Sequence, residues 1–233
     1  MSKAVIPLES NPEIFTQFAH FLGLEPQFSF FDVYSLFDQG LLSFIPRPSP
    51  AVILLFPITE EYEKFRITEE QEQQEQNKRE TDDVVWFKQT IKNACGLYAL
   101  LNAISNLTND KYEPGSKILE FKQNHADVKK IEALIDAFQE DYSSLATSGQ
   151  TEAPDAQEDV NLHFIAIIKK DGKIFELDGR RNGVVALGDA DDKEAEDLLS
   201  ERKLAERFQK YVDLADENNK LNFSVIALAP SFD

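Results

Sequence analysis

Apolar and polar residues follow one another along this chain in three rhythms, and each rhythm predicts a kind of element. From Pro12 to Leu22, "PEIFTQFAHFL" repeats apolar residues every three or four positions, the period of a helix lying on a core. Ser10 or Asn11 can cap that helix, Pro12 suits its first turn, and Gly23 ends it. From Ala51 to Ile58, "AVILLFPI" is apolar throughout, as in a strand buried on both faces. Proline at 46, 48 and 50 blocks any helix leading into it. The third rhythm is apolar on nearly every side of a helix. It runs from Asn93 to Asn106 through Ala94, Leu97, Tyr98, Leu100, Leu101 and Ile104, and predicts a helix in the middle of a core.

Weaker patterns complete the outline. "AVIPL" near the N-terminus, "VVALG" and "LNFSVIALA" read as strands, and "FSFFDVYSLF" as a strand-to-helix passage. "ADVKKIEALIDAFQEDY" predicts one amphipathic helix, and Asp191 to about Leu214 a charged one. "NLHFIAIIKK" and "KIFELD" flank Asp171 and Gly172, the signature of a two-residue hairpin turn. Helices alternate with strands around a central hairpin, so the fold class is α/β (α+β): a largely antiparallel central sheet flanked by helices. Two stretches lack a rhythm. Residues 59–83 are rich in Glu and Gln and read as a mobile acidic surface insertion, with room for a frayed helix. Residues 143–160 read as a long loop. No Gly/Ser linker divides residues 1–233, which predicts a single domain.

Composition narrows the function. Hydrophobic residues make up 42% of the chain, with 18 Phe, enough for a packed core. The formal net charge of -18 argues against nucleic acid and favours a basic partner, while also promoting solubility. No apolar run approaches the ~20 residues of a membrane helix. "MSKAVIPLESNPE" lacks the apolar core of a signal peptide, so a cytoplasmic protein is expected, with the nucleus also open. A single cysteine permits neither an internal disulfide nor a cysteine-based zinc site, and no metal or cofactor is expected.

That cysteine is the candidate for chemistry. With Asn93 as N-cap, Cys95 falls in the first turn of the central helix, where unpaired amides and the macrodipole favour a thiolate. A lone cysteine in a core is more often a small hydrophobe, so a base is required. His20 and His125 read as surface or boundary residues, whereas His163 sits inside an apolar strand and shares a face with Ile165 and Ile167. In a two-residue hairpin Lys170 pairs with Lys173, which puts Asp178 opposite Ile165 and diagonal to His163. A bulge in the turn would face Asp178 away instead. Glu176 shares the face, one step further off. Gln89, six residues before Cys95, is either a surface amide or a donor to a developing oxyanion. Together these residues offer the nucleophile, base and orienting carboxylate of covalent catalysis.

"KQTIKNACG", "GQTEAPDAQEDVNLHFIAI" and "FELDGR" closely resemble the ubiquitin carboxyl-terminal hydrolases. The likeness continues through "PLESNPEIF", "FDVYSL", "PRPSPAVILLFPITEEYEKFR" and "LNFSVIALA", and so covers essentially the whole chain. It implies a short, single-domain, papain-like cysteine peptidase with a knotted backbone, which hydrolyses small adducts and short peptide extensions from the C-terminal glycine of ubiquitin. The family's oxyanion glutamine falls on Gln89, its nucleophile on Cys95, its base on His163 and its orienting aspartate on Asp178. Residues 143–160 match the loop that crosses over the active site. The implied partner is ubiquitin, with its basic C-terminal tail, met by Glu9, Asp32, Gln150, Thr151 and Glu152. No cofactor is implied, and a monomer is expected. After Asp178, "GRRNGVVALG" replaces the family's proline-containing continuation. Two other readings stay open: a hydrolase for another ubiquitin-like protein, and a non-hydrolysing protein that binds or stores ubiquitin.

Overall fold

The computed structural model describes residues 3–74, 83–150, 154–158 and 160–232. Its centre is a six-stranded sheet, made of β1 (Phe28–Asp32), β2 (Ala51–Pro57), β3 (Leu162–Lys170), β4 (Lys173–Leu177), β5 (Val185–Asp189) and β6 (Ser224–Pro230). The strand order is β1-β6-β2-β3-β4-β5, and every pairing is antiparallel. The continuously apolar β2 lies between β6 and β3, which explains why its sequence shows no alternation.

Eight α-helices cover the two faces: α1 (Pro12–Leu22), α2 (Gln39–Leu42), α3 (Glu60–Gln74), α4 (Cys95–Ile104), α5 (Lys117–Gln123), α6 (Val128–Asp136), α7 (Gln139–Ala146) and α8 (Arg202–Leu214), counted among the described residues. The period-2 alternation of β3 sorts them into two layers. Phe164, Ala166 and Ile168 join the core built with α1, α4 and α5 to α7. Ile165 and Ile167 join the opposite core, with Tyr62 of α3 and Leu204 and Tyr211 of α8. Helix α4 is buried all round, as its apolar pattern predicts. Helix α1 begins at Asn11, whose side chain accepts from the Glu13 amide, and ends at Gly23 in the left-handed conformation.

The hairpin forms with the expected register. Lys170 pairs with Lys173 and Ala166 with Leu177, while Asp171 and Gly172 both take positive φ (50° and 71°), as a tight two-residue turn requires. No bulge displaces Asp178.

Elsewhere the structure corrects the outline. "AVIPL" forms no strand, only a single bridge between Ala4 and Lys92, since Pro7 has no N–H for a ladder. The first part of 59–83 is a docked helix: α3 buries Tyr62 and pairs Glu69 with Arg207 and Arg181. Residues 75–82 lie outside the described residues. The single helix expected over 126–142 is two, α6 and α7, separated at Ala137 and Phe138. The break lets Phe138 pack on Phe21 and Phe121. Helix α7 runs on to Ala146, into the segment expected to be loop, and α5 fills a polar stretch where no helix is predicted. From Asp191 the chain is not helical until Arg202, because Glu201 draws the amides of Asp191 and Asp192 around its carboxylate.

Candidate active site

Cys95 is the first residue of α4, as expected, but Asn93 is not its cap. The cap position is Ala94, which has no side-chain acceptor, so no side chain competes for the first-turn amides. Asn93 instead takes a left-handed turn (φ 61°), a conformation asparagine tolerates better than most residues. Its amide donates to the carbonyls of Ala156 (3.0 Å) and Glu158 (2.9 Å), and Lys92 Nζ donates to that of Gln157 (2.7 Å). The two residues just ahead of the turn that carries Cys95 thus hold residues 156–158. Lys92 is itself held by the N-terminal segment, through backbone bonds to Lys3 and Val5.

His163 stands near the start of β3, buried, with its ring edge-on to Phe56. Its Nε2 lies 2.7 Å from Asp178 Oδ1, which leaves Nδ1 as the ring nitrogen free to face the thiol. Asp178 is fully buried, and its Oδ1 also accepts from the Arg180 amide (2.8 Å). The Tyr62 hydroxyl donates to Oδ2 at 2.9 Å. The Asp178 carbonyl accepts from Trp86 Nε1, tying the carboxylate's backbone to the chain that leads into α4.

The electrostatics favour an ion pair. Burial pushes the Cys95 thiol up, but the hydrogen bond and charge of His163 outweigh it, and the thiol ends below its ordinary value. Burial likewise disfavours the imidazolium, yet the charge and hydrogen bond of Asp178 carry His163 up to about 9. Asp178 is opposed by its own burial and held well below the carboxylate range by His163. Both shifts favour a thiolate beside an imidazolium, backed by a carboxylate.

Gln89 lines the same cleft of about 400 Å³ as Cys95 and His163. Its backbone amide donates to the Gly179 carbonyl (2.9 Å), and a Cβ on Gly179 would lie 2.8 Å from Gln89 Cβ. Only glycine allows this close approach, which brings the Gln89 segment against the turn after Asp178. The Gln89 side-chain amide here donates to the Ile91 carbonyl (3.1 Å), which leaves its second N–H for another acceptor.

The other candidates divide. Glu9, Asp32 and Gln150 line one second cleft, of about 690 Å³, beside Tyr34, Leu41 and Phe44. Burial raises the Asp32 carboxyl above its usual range. A Cβ on Gly149 would lie 2.5 Å from Glu9 Oε2, so the chain at Gly149 rests on this carboxylate. Thr151 and Glu152 lie outside the described residues. His20 and His125 each bond a backbone carbonyl away from both clefts, at Phe28 and Lys122. Sequence reasoning misses Tyr62, because it lies in a stretch whose composition signals only exposure. Among the described residues no group of three or more His, Cys, Asp and Glu converges as a metal site.

A thiol whose ionisation is favoured by a neighbouring imidazole, at the uncapped start of a helix, can attack a carbonyl, and the imidazole can hand a proton to the departing group. Fold and site together define a cysteine hydrolase. Residues 5–213 match the model of ubiquitin carboxyl-terminal hydrolase, family 1, and the chain belongs to that family. It is 40% identical to the ubiquitin carboxyl-terminal hydrolase YUH1 of Saccharomyces cerevisiae, over 100% of this chain and 98% of that protein. To the ubiquitin carboxyl-terminal hydrolase of Drosophila melanogaster it is 35% identical, over 95% of this chain and 96% of the other. The fold is also that of the Trichinella spiralis UCH37 catalytic domain, solved bound to ubiquitin vinyl methyl ester. That likeness has a TM-score of 0.71 at 20% identity, covering 100% of this chain and 97% of that one.

Proposed function

We propose that this protein is a deubiquitinating cysteine hydrolase that releases small adducts and short peptide extensions from the C-terminal glycine of ubiquitin. The observation that carries the reading is the His163–Asp178 bond of 2.7 Å beside a thiol at a helix start, in a chain of this family. The Cys95 thiolate attacks the terminal glycine carbonyl. Backbone N–H groups at the start of α4 and the Gln89 amide receive the oxyanion. His163 protonates the leaving group, and then takes a proton from water as it attacks the thioester.

Ubiquitin's basic tail suits the second cleft, where Glu9, Asp32 and Gln150 meet, with Thr151 and Glu152 continuing the crossover loop. Attraction to that cleft is one use of the net charge of -18. The enzyme acts as a monomer in the cytoplasm or nucleus, where a lone thiol stays reduced. Ubiquitin-like proteins with a similar tail are the second reading, favoured by the same acidic cleft, and competition between tail substrates separates the two.

The loop sets the size limit. Residues 156 and 157 are tied to Asn93 and Lys92 and Gly149 rests on Glu9, and these two anchorages support the reading that a leaving group must pass the loop. Ubiquitin esters and short peptide extensions are therefore cleaved quickly, and a fusion to a stable folded domain slowly. Adding ~10–15 Gly/Ser residues to the loop relaxes the limit, since lengthening a flexible loop costs little. Equal wild-type rates on the folded fusion and the short extension would remove the gate from this account.

A further inference from the structure

Asp178 has two carboxylate oxygens, and the reaction uses only one. Oδ1 faces His163. Among the described residues the one hydrogen-bond donor to Oδ2 is the Tyr62 hydroxyl, at 2.9 Å. We propose that Tyr62 is a positioning residue of the catalytic site, whose hydroxyl fixes the plane of the Asp178 carboxylate so that Oδ1 stays on His163. The inference rests on the catalytic reading of Cys95, His163 and Asp178, and adds to it a residue supplied by α3.

The ring itself is held on several sides. Its edge meets Phe56 at 4.8 Å between centroids, and Tyr211 stands at 5.7 Å. Its backbone amide donates to Thr59 Oγ1 (3.1 Å), and Thr59 Oγ1 donates to the Leu214 carbonyl at the end of α8. The side chain is 1% exposed, so no water competes for the hydroxyl. Facing an ionised carboxylate, which only accepts, a phenol must donate. Burial and the Asp178 charge keep it protonated far above its ordinary range.

A competing charge explains why the carboxylate needs fixing. Arg181 Nε stands 3.9 Å from Oδ2, beyond a hydrogen bond. Arg181 is engaged by Glu176 and Glu69, and Glu176 by Arg207 and Tyr211. Without the Tyr62 hydroxyl, Oδ2 is a buried oxygen with no hydrogen-bond donor among the described residues and with the Arg181 guanidinium 3.9 Å away. Turning toward it lengthens the bond from Oδ1 to His163 and weakens the imidazolium. From the other side, His163 and Cys95 are the titrating groups of the site itself.

Tyr211 provides the internal control. It is buried in the same aromatic cluster, but its hydroxyl donates to Glu176 (2.7 Å) rather than Asp178. The test compares Tyr62→Phe and Tyr211→Phe with wild type in three readouts: kcat and KM on a fluorogenic ubiquitin amide, the alkaline limb of kcat/KM, and the pH titration of thiolate ultraviolet absorbance in the resting enzyme. Tyr62→Phe is expected to lower kcat about 10-fold with KM nearly unchanged, and to move the alkaline limb toward neutral. Tyr211→Phe is expected to lower the melting temperature without moving that limb. If Tyr62→Phe does not fold, Thr59→Ala, at a half-buried site, loosens the same tyrosine and should shift the limb in the same direction by less. An unmoved limb in the folded Tyr62→Phe protein, or failing that in Thr59→Ala, overturns the proposal, as does an equal shift in Tyr211→Phe. Absence of thiol-dependent turnover in the wild type would overturn the catalytic reading instead. The resting-state absorbance would still report whether Tyr62 controls the pair.

Discussion

Glu176 and Asp178 stand two residues apart at the end of β4, both fully buried and both bonded to a tyrosine hydroxyl. Their partners make them opposites. Glu176 is clasped by Arg207 (2.6 and 3.0 Å) and by Arg181 (3.1 Å), guanidiniums that keep their charge at any ordinary pH. Asp178 faces His163, whose charge is lost as pH rises through about 9. One carboxylate locks α3 and α8 to the sheet through Glu69, Arg181 and Arg207; the other favours the charged form of His163. In a sheet of period 2 the two look alike, and the cation opposite each decides its work.

The comparison assumes a nucleophile, and the largest effect tests it. Cys95→Ala should reduce turnover of a ubiquitin amide to less than about 1% of wild type while binding of ubiquitin changes only a few-fold, because the substitution removes the attacking atom and little area. Retained turnover would leave Asp178 without a catalytic role to contrast with Glu176.

Titration sharpens the contrast, with opposite signs. His163 is raised from 6.5 to about 9, so the stability contributed by its pairing with Asp178 is complete below about 6.5 and is lost as pH rises through about 9. The kcat/KM profile should fall over the same alkaline window. Burial pushes Glu176 up, but Arg207 and then Arg181 bring it below its ordinary 4.5. Its contribution is therefore present above about 4.5 and lost only as pH falls through its lowered value. Melting curves at alkaline and acid pH for Asp178→Asn and Glu176→Gln would separate the two windows. A single shared window would merge the two roles.

The smallest effects belong to the acidic cleft. Glu9→Gln and Asp32→Asn should raise KM a few-fold and reduce the salt dependence of kcat/KM, with kcat nearly constant. They remove attraction over a Debye length of ~10 Å at 0.1 M without touching the reacting atoms. A fall in kcat instead would place these carboxylates in the chemistry.

Short-range pattern made much of this legible. The Asp171-Gly172 turn sets a register of period 2, and that register alone brings Asp178 to His163. The apolar α4 and β2 are visible for the same reason, since burial on all sides leaves no polar face. Contacts between distant segments stayed hidden. Helix α3 is polar in sequence because its burial partners are arginines, Arg207 lying 138 residues away from Glu69. Tyr62 meets Asp178 across 116 residues, a distance at which no periodicity carries information. Asn93 misleads in another way. Its residue type suits an N-cap, but the structure uses its tolerance of positive φ and its amide donor, on a loop some 60 residues on.

The most direct measurement is kcat and thermal stability, side by side, for Asp178→Asn and Glu176→Gln. Asp178→Asn should lower kcat at least ~10-fold, because an amide neither holds the imidazole as well nor stabilises imidazolium. Glu176→Gln should leave kcat within about 2- to 3-fold, yet cost roughly 3–5 kcal/mol by leaving buried guanidiniums uncompensated. The opposite outcome, with Glu176→Gln inactive and stable and Asp178→Asn active and weakened, would contradict the assignment of the two carboxylates and the site built on it.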